Sequence, residues 1–444
     1  MSTGFQSIQT NSSAILPRLT ALPESCTQEP TVHPAMTSPA VCTGAPPSAA
    51  LRIRLFNVKY SPNLGDGLLS ECLEKALIAL GASEDTWSID LAARQAYGDG
   101  LKGRLQIISV LDRMPKWLRR HAIRIPLAIH ARRKWYPHYV NRVSGANAIA
   151  IGGGNLISDI DLNFPTKLTL AIQEAERLRL PFVVYASGVT PQWTTRGTEM
   201  MKKAFASPFL RAVFVRDHES KRLWDEKLSQ ASGFKASVVR DPGLLASDFI
   251  APSRIYGGER PVAGVGVMSH IAIRYHADNA PDPGYLENWY VELVRGMVEK
   301  GYHAVAFTNG SPEDIAYLAK LQPRLQAIAG DAISFPVQRT PTELCAIISS
   351  ADVLVAYRMH AVIAAYSFGV PAVGLSWDRK LRSFMASVNR DEFLCDVVHT
   401  EAIAAVELAC RARSTPIPRD EHKQVLAEAW QGVTQLLKVL EGSS

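Results

Sequence analysis

The segment from Ala351 to Lys380 joins a buried-strand pattern, a charged turn and a helix of small residues. Its apolar run, 353–356, is short and rich enough in valine for an inner strand of a parallel sheet. The alanine-rich stretch 361–368 favours a helix, and Gly369 and Pro371 end it. The segment therefore predicts one strand–turn–helix unit of an open α/β sheet.

The turn of this unit presents Arg358 and His360. Both residues lie where a strand ends and a helix begins, which is where ligands bind in open α/β sheets. The free N–H groups of the helix favour an anion at this place. We therefore expect a phosphorylated or carboxylated substrate. The alternative is that the two side chains cap the helix and pair with a neighbouring carboxylate.

The same alternation of strands and helices runs along most of the chain. A first strand is expected within 51–60, followed by a loop at 61–65 and a helix over about 66–80. Further strands of this first series are predicted at 146–151, 182–185, 212–215 and 237–239. A linker at 251–261 precedes a second series, which opens at 262–268. We therefore predict an α/β fold of two Rossmann-like doubly wound domains that face each other across a cleft, as in GT-B-type proteins.

The predicted boundaries are a disordered leader at 1–50, an N-terminal domain at 51–255 and a C-terminal domain with additional helices at 262–444. The leader is rich in Ser, Thr, Pro and Ala and has almost no charge. A chain of 444 residues with 47% hydrophobic residues can bury two cores. No apolar stretch reaches the length of a membrane span, and no signal peptide is recognisable, so we expect a cytoplasmic protein. The six cysteines have no metal-ligand or disulfide spacing.

The net charge of +6 comes from one segment, Arg113 to Arg142, which holds nine basic and no acidic residues. The rest of the chain has 39 basic and 42 acidic residues, so no nucleic-acid partner is indicated. Residues 116–142 are either a solvated helical face or a peripheral contact with the inner membrane face. In the second interpretation the aromatic residues interact with anionic headgroups; they are Trp117, Trp135, Tyr136 and Tyr139. Pro126 and Pro137 predict two short helical pieces.

Two further loops are candidates for substrate binding. The connection between the first strand and the first helix contains Asn63, Gly65 and Asp66. Gly65 permits a tight turn there, and Asp66 can cap the helix. The glycines at 152, 153 and 154 precede Asn155 and follow a strand, so backbone can approach a ligand closely. These residues lack the spacing of a dinucleotide fingerprint or a P-loop, so NAD and ATP are not expected as cofactors.

Two more segments place charge at the end of a strand. Arg216 ends an apolar run and precedes Asp217, His218 and Glu219, with a salt bridge inside the turn as the alternative. Asp241 and Pro242 end the last strand of the first series. Asp159 and Asp161 have the D-x-D form that some glycosyltransferases use to hold a metal, but two such carboxylates are common by chance, and we predict no metal site.

Taken in order, these motifs resemble the polysaccharide pyruvyl transferases over about residues 55–390. The shared features are Asn63-Leu64-Gly65-Asp66, Gly152-Gly153-Gly154, Arg216 with Glu219-Ser220, Asp241-Pro242, Arg358-Met359-His360, Gly369-Val370-Pro371 and Asp378-Arg379-Lys380. Position 359 is often Leu in that family, and Met has a similar volume. The stretch from Ser61 to Glu74 is similar to ketal-forming enzymes of bacterial exopolysaccharide synthesis.

The resemblance implies transfer of pyruvate from phosphoenolpyruvate to two hydroxyls of one sugar, with formation of a cyclic ketal and release of phosphate. Arg216 and Arg358 would then bind the phosphate and carboxylate, His360 would transfer protons, and Lys380 would neutralise the leaving phosphate. No cofactor is implied, and the acceptor would be a lipid-linked oligosaccharide or polysaccharide. Two alternatives stay open: a GT-B sugar-nucleotide glycosyltransferase and a non-catalytic carbohydrate-binding protein.

Overall fold

The computed structural model describes residues 50–99, 124–159, 161–256, 258–276, 281–376 and 379–442. It contains two six-stranded sheets in which every neighbouring pair of strands is parallel. Apart from residue 50, the predicted leader lies outside the described residues. The predicted fold class, two Rossmann-like doubly wound halves, is confirmed.

The first sheet has the strand order β2-β1-β3-β4-β5-β6. Its strands are β1 Ile53–Asn57, β2 Trp87–Asp90, β3 Ala148–Gly152, β4 Phe182–Ser187, β5 Leu210–Val215 and β6 Ser237–Val238. The inner strands β1, β3 and β4 are buried at every residue, as expected for a sheet that helices cover on both faces. The strand order reverses between β1 and β3, so a ligand is expected outside the carboxyl ends of these two strands.

Ten helical elements accompany this first series among the described residues: eight α-helices, one π turn and one 3-10 turn. They are α1 Leu64–Ala79, α2 Arg124–His130, a π turn Ala131–Trp135, α3 Tyr136–Val143, α4 Asn163–Arg177, α5 Thr195–Phe205, α6 His218–Lys227, α7 Ser229–Ser232, a 3-10 turn Pro242–Leu245 and α8 Ala246–Phe249.

The second sheet has the order β12-β11-β10-β7-β8-β9, which is the strand order of the six-stranded Rossmann fold read from its far edge. Its strands are β7 Val262–Gly266, β8 His303–Phe307, β9 Ile333–Ser334, β10 Val353–Ala356, β11 Ala372–Leu375 and β12 Leu394–Cys395. Its order reverses between β7 and β10. The predicted strand at 353–356 is therefore central, and its carboxyl end lies at the second switch point.

The helices of the second series complete the described elements. They are α9 His270–His276, α10 Pro283–Glu299, α11 Pro312–Ala329, a 3-10 turn Gly330–Ala332, α12 Pro341–Ser349, α13 Met359–Ser367, α14 Arg379–Ser387, a 3-10 turn Asp391–Phe393, α15 Ala402–Ser414 and α16 Arg419–Glu441. None of the helices in the described ranges is long and apolar enough to cross a membrane.

One apolar core runs through both halves. It includes Leu55 of β1 and Leu68 of α1 in the first half, and Val355 of β10 and Ile363 of α13 in the second. The last helix, α16, packs against α1, β4 and β5 and so returns to the first sheet. Gly432 permits this return because a Cβ there would lie 2.9 Å from the Tyr185 hydroxyl oxygen. The loops at the two switch points are therefore both anchored to the same apolar core.

The described part of the basic segment forms one continuous helical run from Arg124 to Val143, so the prediction that Pro126 and Pro137 interrupt it to give two short pieces is wrong over this range. The run tolerates Pro137 because a π turn precedes it, in which the Tyr136 N–H donates to the Ala131 carbonyl five residues earlier. The shift in hydrogen-bond register at this turn compensates for the N–H group that Pro137 lacks.

The inner face of this run repeats every four residues, with Ala131, Trp135, Tyr139 and Val143 buried in the core of the first sheet. The Tyr139 hydroxyl donates to the Leu91 carbonyl at 2.7 Å. Trp135 and Tyr139 are therefore core residues, and the prediction that they face lipid headgroups is wrong. Tyr136 is exposed, and residues 116–123, with Trp117, lie outside the described residues.

Candidate active site

The two switch points meet where the first turn of α1 contacts the first turn of α13. A Cβ built on Gly65 would lie 2.5 Å from the His360 Cβ and 2.7 Å from the His360 Nδ1. Glycine is therefore required at position 65 for steric reasons, since any side chain would displace the imidazole. The Leu64 N–H also donates to the Asn309 carbonyl at 2.8 Å, which ties α1 to the loop after β8.

His360 lies almost entirely out of solvent, with 8% of its surface exposed. Its Nδ1 is 3.6 Å from Asp66 Oδ1, so a carboxylate of the first half faces the imidazole of the second. Its Nε2 is buried and has no hydrogen-bond partner among the described residues. A buried polar atom without a partner costs free energy, and it is available to a ligand that enters the site.

The pKa of His360 is lowered to about 3, first by burial and then by the positive charges of Arg216, Lys380 and Arg358. The imidazole is therefore neutral at pH 7 in the free protein. The proton-transfer role expected for His360 needs a pKa near neutrality. In the free protein the pKa of His360 is lower than that role needs. The three cations that lower the pKa are also the three predicted to bind the donor, so an anion bound among them would counteract their effect.

Arg358 stands at the N-cap position of α13 without a capping hydrogen bond from its side chain, which is held instead by a carboxylate that the sequence motifs did not indicate. Its Nε donates to Asp314 Oδ2 at 3.1 Å, and its Nη2 donates to the same oxygen. Asp314 is fully buried in the first turn of α11, and its other oxygen accepts the Ser269 N–H at 2.9 Å. Ser269 follows β7, so both strands at the second switch point are linked through Asp314. The guanidinium is thereby fixed before any ligand binds.

Arg216 reaches the site from the end of β5. Its Nη2 lies 3.5 Å from Asn155 Oδ1, and its Nε lies 3.4 Å from Asp217 Oδ2. Gly188 makes room for this guanidinium, because a Cβ there would lie 2.6 Å from Arg216 Nη2. Asp217 also caps α6, where its Oδ1 accepts the Ser220 N–H at 2.6 Å. The structure thus brings Asn155 and Arg216 together, beside the residue that caps α6.

Two buried carboxyl groups adjoin these cations. Burial raises the pKa of Asp66, although a hydrogen bond with Ser61 and the charges of Arg94, Arg358 and Lys380 act in the opposite direction. Burial also raises the pKa of Asp241 to about 6, against the effects of the Gly243 N–H and of Arg216. Asp241 Oδ1 accepts that N–H at 2.9 Å, while its Oδ2 is buried without a partner. Each carboxyl therefore holds its proton more tightly than in water.

The glycine run after β3 mainly allows close packing of this loop against β4. A Cβ on Gly152 would lie 1.9 Å from the Tyr185 carbonyl oxygen, and the Gly153 N–H donates to that oxygen at 3.0 Å. Gly153 and Gly154 both have positive φ, at 84° and 67°. Only Gly154 approaches the reaction centre, because a Cβ there would lie 3.6 Å from Asp66 Oδ1. Asn63 caps α1, and its Oδ1 accepts the Gly65 N–H at 3.2 Å.

A cleft of about 710 Å³ leads to the cations from one side. Arg216 and Asp241 of the first half and Met359 and Lys380 of the second line its inner end. Helices α14 and α16 form its outer walls. Lys380 lies in the first turn of α14, so two of the predicted site residues, Arg216 and Lys380, line the cleft together with Asp241.

Asp159 and Glu219 do not join this group. Asp159 Oδ2 accepts both the N–H and the hydroxyl of Thr194, at 2.7 and 2.6 Å, and its Oδ1 accepts the Leu162 N–H. Both carboxylate oxygens are thus used to fold the loop after β3. Glu219 pairs with Arg222 one turn along α6. Within the described ranges no three His, Cys, Asp or Glu side chains are grouped as metal ligands.

Comparisons with known proteins identify the family of the chain. A family model described as polysaccharide pyruvyl transferase matches residues 63–379, the range that contains every predicted site residue except Lys380. A search of curated protein sequences found no match. The resemblance inferred from the motifs is therefore confirmed by the family model.

Solved structures resemble the chain in fold. One is described as a UDP-N-acetylglucosamine 2-epimerase, with a TM-score of 0.51, 11% identity, and coverage of 87% of this chain and 94% of that one. Another, from Listeria monocytogenes and assigned as a UDP-N-acetylglucosamine 2-epimerase, has a TM-score of 0.50, 12% identity, and coverage of 89% and 97%. At such identities the likeness concerns architecture alone, and function has to be argued from the site.

Proposed function

Because the chain belongs to the polysaccharide pyruvyl transferase family, we propose that it takes pyruvate from phosphoenolpyruvate and joins it to two hydroxyls of one sugar as a cyclic ketal. Phosphate is the second product. The acceptor sugar belongs to an exopolysaccharide repeat unit, carried as a lipid-linked oligosaccharide or as polysaccharide. The family supports pyruvyl transfer in general, and the identity of the donor and the ketal linkage are our proposal.

The observation that carries the proposal is the convergence of three cations on one buried imidazole. Arg216 comes from the first half, Arg358 and Lys380 come from the second, and all three act on the pKa of His360. Phosphoenolpyruvate carries a phosphate and a carboxylate on one carbon. Two guanidinium groups suit both anions because each presents a planar fork of donors, and an ammonium adds a point charge.

Donor binding also prepares His360 for proton transfer. The anionic groups of phosphoenolpyruvate offset the cationic field that lowers the pKa of the free imidazole, so the bound donor favours the imidazolium. Asp66, 3.6 Å from Nδ1, stabilises the same form. His360 then gives a proton to the methylene carbon, which converts that carbon to a methyl group and makes C2 electrophilic.

The remaining steps balance with the groups present. A sugar hydroxyl forms a bond to C2 and returns its proton to His360. The C2–O bond to phosphate then breaks, and its electron pair leaves with the phosphate towards Lys380. The second hydroxyl closes the ketal at C2, and its proton leaves with the phosphate. One proton is thus gained by the methyl group and one by phosphate, and the two hydroxyls supply both.

This scheme assigns all charge stabilisation to side chains, and we propose that the reaction uses no cofactor. The cleft reaches Arg216 and Lys380, so it serves as the route for donor entry and phosphate release. The acceptor then approaches the Asp66–His360 pair from the opposite flank, where β1 and β2 end. Access to lipid-linked acceptors would place the protein at the cytoplasmic face of the membrane, with the exposed basic face of the helical run as its contact.

Donor trials test the proposal. The protein is incubated with candidate lipid-linked oligosaccharides and with either phosphoenolpyruvate or nucleotide sugars, and the product mass and released phosphate are followed. We expect phosphate release and a ketal product with phosphoenolpyruvate alone, with EDTA having no effect. Transfer of a sugar from a nucleotide donor would favour the glycosyltransferase alternative, and activity that EDTA removes and Mn²⁺ restores would contradict the scheme.

A further inference from the structure

A second group of cations lies at the same edge of the first sheet, apart from those that face His360. We call it the Lys167 cluster, and it consists of Arg94, Lys134 and Lys167. Arg94 follows β2, Lys134 lies in the π turn before α3, and Lys167 lies in the second turn of α4. Lys134 belongs to the basic segment 116–142, whereas Arg94 and Lys167 lie outside the sequence motifs, and the proposed reaction uses none of the three.

Lys167 is the central member of this cluster. Only 5% of its surface is exposed, and its Nζ lies 4.7 Å from the Trp135 ring and 5.3 Å from the Phe164 ring. The described residues offer this ammonium no hydrogen-bond or ion-pair partner. Contacts with aromatic faces return only part of the cost of burying a charge, so an anion bound beside this ammonium would lower that cost further.

The carboxylates nearest the cluster already accept hydrogen bonds: Asp99 Oδ2 accepts the Gln95 N–H at 2.9 Å and the Ala96 N–H at 3.0 Å. Asp90 Oδ1 accepts the Ala92 N–H at 2.8 Å and the Arg94 Nε–H at 3.0 Å, and its Oδ2 accepts the Tyr60 N–H at 3.0 Å. Burial, followed by the charges of Arg94 and Lys134, lowers the pKa of Lys167 to about 7, although Asp90 acts in the opposite direction. The repulsion among three like charges, whose neighbouring carboxylates Asp90 and Asp99 are engaged in hydrogen bonds, would be relieved by an incoming anion.

The position of the cluster connects it to the reaction centre. Arg94 is near enough to Asp66 for its charge to lower the pKa of that carboxyl. Asp66 faces His360, so the cluster borders the catalytic pair on the β2 side. Arg216 lies on the β5 side of the same sheet edge, with β1, β3 and β4 between. An acceptor whose sugar contacts Asp66 and His360 would therefore have an adjoining part at the cluster.

We propose that the Lys167 cluster is a second anion site and that it holds a phosphate or diphosphate group of the acceptor. A diphosphate suits the site because Lys167 and Lys134 provide point charges, while Arg94 keeps the two guanidinium nitrogens that Asp90 does not use. The part of this inference that concerns the acceptor rests on the proposed function. The existence of an anion site at Lys167 does not.

Calorimetry with inorganic pyrophosphate tests the site while saturating phosphoenolpyruvate occupies the donor cations. We expect wild-type protein to retain a pyrophosphate binding event under these conditions. Lys167→Met keeps the stem that packs on Trp135, and it should weaken the affinity at least tenfold. Lys134→Gln, at an exposed position, should weaken it severalfold without any burden on folding. The exposed Lys203→Met on α5 is the matched control and should bind as wild type does.

The pH dependence separates a direct contact from a structural effect. At each pH, the affinity of wild type for pyrophosphate is divided by that of Lys167→Met. This ratio should fall between about pH 6 and pH 8.5, because Lys167 loses its proton over this range. Equal affinity in wild type, Lys167→Met and Lys134→Gln would overturn the proposal, as would complete loss of pyrophosphate binding when phosphoenolpyruvate is present. Thermal unfolding of each variant confirms that it is folded.

Two further arms identify the source of the anion. Farnesyl diphosphate, compared with inorganic pyrophosphate, should bind more tightly if the natural acceptor is lipid-linked, and equally if it is a soluble phosphorylated glycan. A wild-type protein that fails to bind phosphoenolpyruvate contradicts the proposed function. In that case the comparison of Lys167→Met with wild type still tests the cluster, so the two failures are distinguishable.

Discussion

At the scale of single residues, the proposed chemistry depends most on His360. It is buried, its Nε2 has no partner among the described residues, and Arg216, Lys380 and Arg358, the cations proposed to bind the donor, lower its pKa. We expect His360→Ala to lower the rate of transfer by about 10² to 10⁴, the usual contribution of a general acid–base group. Donor affinity should change little, because the cations that hold the donor remain. Steady-state phosphate release measures the first quantity, and calorimetry with phosphoenolpyruvate measures the second.

The control for His360→Ala is its unfolding temperature, because removal of a buried ring leaves a cavity. Activity within about threefold of wild type, a barrier change of well under 1 kcal/mol, would remove His360 from the mechanism. Loss of donor binding together with activity would instead place His360 among the groups that hold charge.

Asp241 allows a prediction about stability and pH. Its pKa in the folded protein is about 6, above the ordinary 3.8, so the folded state keeps the proton while the unfolded chain releases it. Stability that depends on this proton is complete below about pH 3.8 and is lost as the pH rises to about 6. Asp241→Asn cannot lose a proton. Its stability relative to wild type should therefore rise across this window by on the order of 3 kcal/mol and stay constant above it.

Chemical unfolding of wild type and Asp241→Asn at several pH values between about 4 and 7.5 measures this difference. The pH dependence of the other carboxyl groups cancels in the comparison. At any one pH, the difference in unfolding free energy between the two proteins also contains the cost of placing the new amide hydrogens beside Arg216. The test is therefore how this difference changes with pH. A difference that is flat over this range would show that Asp241 is ionised throughout.

At the scale of elements, the contact between α1 and α13 positions the imidazole. A Cβ on residue 65 would overlap His360, so Gly65→Ala should push the ring from its place. A displacement of about 1 Å in a catalytic group costs about a hundredfold in rate, and we expect a loss of at least that size. Gly442→Ala is the matched control, since that glycine has φ −69° and its nearest other atom is 3.5 Å from an added Cβ.

Gly65→Ala and Gly442→Ala are compared by phosphate release and by thermal unfolding. Full activity in Gly65→Ala would contradict the close approach of the two helices. A loss of stability without a loss of activity would give Gly65 a role in packing only.

The sequence predicted most of the strands and helices that form the two switch points, because short apolar runs and glycine or proline punctuation are local signals. It missed β2, whose four residues Trp87–Asp90 mix polar and apolar types. It also missed Asp314, which lies 44 residues before Arg358 and reads as an ordinary acidic residue in a first helical turn. Its partner is fixed only by the tertiary fold, and so is the burial that lowers the pKa of His360.

The exposed face of the basic helical run is the element through which we propose a membrane contact. Arg132 and Arg133 lie on this face, opposite the buried Trp135. Each basic residue near an anionic surface contributes about 1 kcal/mol, so Arg132→Gln with Arg133→Gln should weaken binding to anionic vesicles about 30-fold. Vesicle sedimentation measures this change. Lys202→Gln with Lys203→Gln on α5 is the control at equal charge loss.

Binding to vesicles that is equal in wild type and the Arg132/Arg133 variant would identify this face as an ordinary solvated surface. Loss of binding in both variants would indicate an effect of net charge alone. The burial of Trp135 and Tyr139 makes charge, and not aromatic insertion, the interaction under test.

At the scale of the whole molecule, the site depends on both halves at once. Asp66, Asn155 and Arg216 stand at the end of the first sheet, and Arg358, His360 and Lys380 stand at the end of the second. The shared core and the return of α16 to the first sheet hold the two ends together. A donor held by Arg216 and Arg358 therefore bridges the halves, and its binding should stabilise the folded chain.

The last prediction follows from this bridge. Phosphoenolpyruvate at about 100 times its dissociation constant should stabilise wild type by about 2.7 kcal/mol, seen as a rise in unfolding temperature. Arg216→Lys and Arg358→Lys each keep the charge and lose the fork, and Arg358→Lys also loses the paired contact with Asp314. At the same donor concentration each variant should lose at least about 1.4 kcal/mol of this stabilisation, equivalent to a tenfold weaker affinity. Arg222→Lys, at an exposed position on α6, is the control and should respond as wild type does. If only Arg216→Lys loses the response, the donor is held by the first half alone and the bridge is wrong; if only Arg358→Lys does, the donor belongs to the second half.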